Sequence, residues 1–79
     1  MPYKLHHWYE FIDDGIHYIG QYVGRQKGFE CCICGKGCNA YTFNIWNSKT
    51  DYETWGYGSE HLPIMVKDLG ECQAVLVNN

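Results

Sequence analysis

Leu5-His6-His7-Trp8-Tyr9-Glu10-Phe11-Ile12-Asp13-Asp14-Gly15-Ile16-His17-Tyr18-Ile19-Gly20-Gln21-Tyr22-Val23 is the stretch whose reading decides the fold. Leu5, Trp8, Ile12, Ile16, Ile19 and Val23 recur at helical spacing, and that reading gives an α+β chain with an N-terminal helix over residues 5–23. Against it stand Gly15, Gly20, the absence of Ala and a density of Tyr, Ile, Val, Phe and Trp, which fit a pleated surface better. Asp13-Asp14-Gly15 at the centre is a hairpin signal, because Gly takes positive φ freely and Asp tolerates it. The favoured reading is therefore a hairpin, Leu5 to Ile12 and Ile16 to Gly24, with the helix as the alternative.

Downstream, Gly24-Arg25-Gln26-Lys27-Gly28 reads as a polar turn. Phe29 to Cys34 follows as a short strand leading into the tight loop Gly35-Lys36-Gly37-Cys38. Tyr41, Phe43 and Ile45 alternate with Thr42 and Asn44 through Ala40 to Trp46, a period-two strand. It turns at Asn47 to Asp51 and returns as Tyr52 to Tyr57. Two last runs, Leu62 to Lys67 and Cys72 to Val77, flank the turn Asp68-Leu69-Gly70-Glu71, and Pro63 places the first at a sheet edge or strand start. About six short strands predict a mainly β domain: a small antiparallel sheet, barrel or sandwich, with residues 1–79 forming one compact unit.

With 79 residues, 46% of them hydrophobic and 19% charged, the chain collapses readily but buries a small core. So small a core leaves little room for an elaborate active site, and no carboxylate pair or nucleophile–base–orienter set marks an enzyme. The net charge of −3 disfavours a general nucleic-acid binder. The longest apolar run, Ala74 to Val77, is far short of the roughly 20 residues of a membrane helix. With no signal-peptide pattern near Met1, a cytoplasmic location is expected.

Five cysteines fall below the density of a secreted disulfide scaffold, and an odd number cannot all pair within the chain. Thiols or metal ligation fit a reducing compartment better. Cys31-Cys32-Ile33-Cys34-Gly35 holds a C-x-x-C followed by Gly, which sets two thiolates on one side of a tight loop where amides face the sulfurs, as tetrahedral zinc requires. Over these residues the chain resembles the zinc knuckle of rubredoxin-like and zinc-ribbon proteins. Those families carry a second C-x-x-C knuckle, which this chain lacks. The expected ligand set is Cys31, Cys34, Cys38 and Cys72, with His61 as the alternative fourth ligand and the His6/His7 pair a further source; Cys32 is left as an extra thiol. The competing reading is that the cysteines simply fill a modest core.

Arg25, Lys27 and Lys36 against Glu30 give residues 25–36 a charge of +2, a loop fit for a phosphate or an acidic partner. Seven of the thirteen aromatics are Tyr. On the central hairpin Tyr41, Phe43 and Ile45 are expected inward, which leaves Trp46, Trp55 and Tyr57 as a partner-binding patch, since Trp and Tyr anchor interfaces. The expected function is a non-enzymatic, zinc-stabilised module that blocks or adapts another protein, with self-association through an edge strand as an additional property. In size and character such a protein resembles phage and mobile-element inhibitors of host defence, anti-CRISPR proteins among them. The alternative is a zinc-knuckle nucleic-acid-binding module.

Overall fold

The computed structural model describes residues 3–48 and 51–71. These residues build one five-stranded antiparallel sheet: β1 (Trp8–Asp13), β2 (Ile16–Glu30), β3 (Gly37–Ser48), β4 (Asp51–Tyr57) and β5 (Ile64–Gly70), in the spatial order β4-β3-β2-β1-β5. The mainly β class holds, and no helix occurs among the described residues. The reason lies at Asp14 (φ 53°) and Gly15 (φ 76°), which join the paired residues Asp13 and Ile16 by a two-residue turn with both central φ angles positive. That turn matches the natural twist of a hairpin.

Three of the expected boundaries are corrected. The polar run from Gly24 to Gly28 is no turn but part of β2, which continues to Glu30. Gly24 (φ 104°) and Gly28 (φ 74°) lie where the β2–β3 register shifts, after Tyr22 and before Phe29. Bulges absorb the left-handed backbone, and pairing resumes at Phe29↔Cys38. The strand expected over Phe29 to Cys34 stops at Glu30, and Asp68 to Gly70 belongs to the end of β5 instead of a turn. The strand expected over Cys72 to Val77 lies outside the described residues.

One face of the sheet carries the core: Tyr9, Phe11, Tyr22, Tyr41, Phe43, Ile45 and Tyr57, covered by Tyr3 from the N-terminal segment. Phe43 is its hub, with ring centroids 5.1–6.1 Å from Tyr3, Phe11, Tyr22 and Tyr57. Phe11 and Tyr57 also meet at 6.1 Å, although β2 and β3 lie between their strands. Three steps across a flat sheet would span about 14 Å, so the sheet curls around its core. The Tyr57 hydroxyl tightens this curl by donating to Asp13 Oδ2 at 2.8 Å. On the other face Trp8, Trp46 and Tyr52 pack ring to ring at 5.8–6.2 Å.

β4 and β5 occupy opposite edges, so residues 58–63 must carry the chain across from one to the other. Leu62 of this crossover packs against the core. The crossover is what brings His61 to the cysteines.

Candidate metal centre

Residues 31–34 form a turn directly after β2, tied down at both ends by backbone hydrogen bonds. The Cys31 amide donates to Lys36 O (3.0 Å) and the Gly35 amide to Cys31 O (2.8 Å), while the Cys32 amide donates to Gly56 O on β4 (2.8 Å). Gly35, at φ 74°, supplies the left-handed residue that closes the loop. Gly56 is the close approach that lets β4 meet this turn: a methyl there would come within 2.4 Å of the Phe29 ring and 3.1 Å of Glu30 O.

Inside the turn, Cys31 is only 2% exposed. Its sulfur accepts the Ile33 amide at 3.4 Å and the Gly58 amide at 3.3 Å. Burial alone would raise the thiol pKa, but the amides of Gly58, Cys34 and Ile33 and the Cys34 thiol outweigh it and pull Cys31 down to about 6. A buried sulfur held as thiolate by converging N–H donors is the environment of a metal ligand, since the thiolate is the ligating form.

His61 faces this sulfur, its Nδ1 3.9 Å from Cys31 Sγ, and its backbone amide is fixed by Gly58 O at 2.9 Å. The ligand atoms of Cys31, Cys34 and His61 all lie within 4.8 Å of one another. Neighbouring ligands of a tetrahedral zinc stand about 3.5–3.8 Å apart, so small side-chain rotations close the group on one ion. Of the expected ligands, then, Cys31, Cys34 and His61 come together. Cys38 lines the same cleft of about 240 Å³, with Cys34, Lys36 and His61. Cys72 lies outside the described residues. His6 and His7 lie elsewhere: they precede β1, and His7 Nδ1 pairs at 2.9 Å with Asp68 near the end of β5. Cys32 is exposed and borders a separate cleft with Asp13, Tyr18 and Trp55.

The other sites expected from the sequence are rearranged. Tyr57 is fully buried and is withdrawn from any surface patch, because on β4 its parity matches that of Trp55 and places both beside Phe43 and Tyr41. Trp55 packs edge-on against Tyr18 at 4.8 Å, while Trp46 lies on the opposite face against Trp8 and Tyr52, so the three residues form no common patch. Arg25 is occupied as well: its guanidinium donates to Asn39 O at 2.6 Å and stacks 4.3 Å over the Tyr41 ring. Lys27 and Lys36 are exposed.

The edge strand expected near Pro63 is β5, and it carries an apolar surface, with Ile64 and Val66 67% and 48% exposed. Their alternation with Met65, which packs on the core, was the available signal. No family model, curated protein or solved structure matches the chain significantly. No helix among the described residues is long and apolar enough to cross a membrane.

Proposed function

We propose that this chain is a non-enzymatic β domain, stapled by one zinc ion, that acts by binding another protein. The observation carrying the proposal is the convergence of Cys31, Cys34 and His61, ligands from two distant segments, around a buried and amide-stabilised sulfur. A nucleophilic cysteine must meet substrate, and the activated sulfur here is covered, which favours a structural use of the site. Metal binding contributes directly to the folding free energy of so small a domain.

Binding is then left to the surface. Within the described residues β5 pairs only with β1, and its other edge, with Ile64 and Val66 exposed, suits addition of a partner's strand. Engagement of Arg25 with Asn39 and Tyr41 weakens the nucleic-acid alternative.

The test has two parts. Zinc titrated into reduced, metal-free protein is expected to bind one per chain and raise the melting temperature; an unmoved melting point defeats the staple. I64K/V66K is then expected to melt like the wild type yet lose the partner that copurifies with wild type from the native source. Retention of that partner defeats the β5 edge as the binding surface.

A further inference from the structure

Three ligand atoms define a site that a fourth completes, and we infer that Cys38 is that fourth, making a closed Cys₃His centre for zinc. The inference rests on the reading of Cys31, Cys34 and His61 as metal ligands. The point above the Gly58 α-carbon that a methyl group would occupy lies 3.7 Å from Cys31 Sγ, 3.7 Å from Cys38 Sγ and 3.8 Å from His61 Nδ1. Sulfur and nitrogen from three separate segments thus surround one small volume, floored by a residue with no side chain. Cys34 and Cys38 line the same cleft over it.

The register explains why Cys38 arrives there. Its pairing with Phe29 sets it beside the end of β2, from which the chain turns directly into Cys31. Its thiol donates to Phe29 O at 3.7 Å, a weak bond that metal ligation would readily replace. A zinc held by two thiolates and one imidazole would keep an open position, the arrangement of catalytic sites; a third thiolate closes it.

Softness favours this choice over Glu60, which lines the same cleft. Thiolate is the better match for zinc among a ligand set already rich in sulfur. Three thiolates and one Zn²⁺ sum to −1, and Lys36 at the cleft wall offsets it. So closed, the ion joins the turn after β2, the start of β3 and the β4–β5 crossover.

Cobalt(II) serves as the probe, because thiolate-to-cobalt charge-transfer absorption scales with the number of bound sulfurs. Wild-type protein with one equivalent of cobalt is expected to show a tetrahedral spectrum with three thiolates' intensity. C38S should lose about a third of it and weaken binding more than about 100-fold, beyond the roughly 10- to 100-fold effect of losing an outer-shell partner. E60Q and C72S should leave the spectrum unchanged. Three of the five thiols should become unreactive to a thiol reagent when zinc is bound, a readout that needs no variant. Two-thiolate intensity in the wild type, or a loss caused by C72S and not by C38S, overturns the assignment while leaving the metal site standing. No cobalt binding at all overturns the underlying reading too.

Discussion

The two ends of this small sheet are held together by different physics. Around Phe43, rings from four strands and the N-terminal segment exclude water completely, and one directional bond, from Tyr57 to Asp13, fixes the curl. Cys31 is buried too, but it lies outside that aromatic cluster. Amides aimed at sulfur and a histidine delivered by the crossover take the cluster's place there. The core rests on burial, whereas on the proposed reading the knuckle end takes an ion that offsets the gathering of its ligands. A domain of this length is stable by roughly 4–12 kcal/mol, so if the proposed ion is bound neither contribution is dispensable.

The largest expected effect breaks the core. F43A should cost about 3–5 kcal/mol in denaturant unfolding, by the same amount with and without zinc, because Phe43 packs in an aromatic cluster to which the proposed ligands do not belong. Next comes the seam between the two regions. G56A should cost about 1–3 kcal/mol, since its methyl meets the Phe29 ring, Ala40 and Glu30 O where β4 approaches the knuckle.

Acid and alkali should then separate the regions in the metal-free protein. Burial pushes Tyr3 up to about 12 and also raises Tyr22 and Tyr57. A folded pKa above the unfolded value stabilises below pH 10, and that stabilisation is lost as pH climbs from 10 toward 12. Tyrosinate absorbance should therefore appear together with unfolding. Cys31 behaves oppositely: a thiol lowered from 9.0 to about 6 stabilises fully above pH 9 and loses this as pH falls through 6. Thiolate absorbance at the knuckle should fade near pH 6 while the tyrosine core stays folded. The smallest effect belongs to D68N. The His7 hydrogen bond and then the Gly70 amide lower the Asp68 pKa, but the pair is exposed and screened, so the variant should shift stability only slightly, and only above the normal carboxylate range.

What could be read from the sequence was local. Asp13-Asp14-Gly15 announced its hairpin and the alternation from Tyr41 to Ile45 its strand, because each is settled by neighbours a few residues apart; the C-x-x-C-Gly run announced a tight loop but not that the strand before it stops at Glu30. The glycines at 24 and 28 misled, since a bulge and a turn both call for positive φ and only the partner strand distinguishes them. His61 was visible as no more than a second choice, because a lone histidine carries no sign that a crossover will swing it onto Cys31. The aromatics of β4 were misassigned for a related reason: the parity that buries Tyr57 depends on its pairing with Tyr41, not on its own segment.

Amide hydrogen exchange on zinc-loaded and metal-free protein tests most directly whether the two regions stand on different forces. Removing zinc should speed exchange at the amides of Ile33, Gly35, Gly58 and His61 far more than at those of Tyr22 and Phe43. Equal acceleration of both sets, or no change at the knuckle, would contradict a metal-held end joined to a burial-held core.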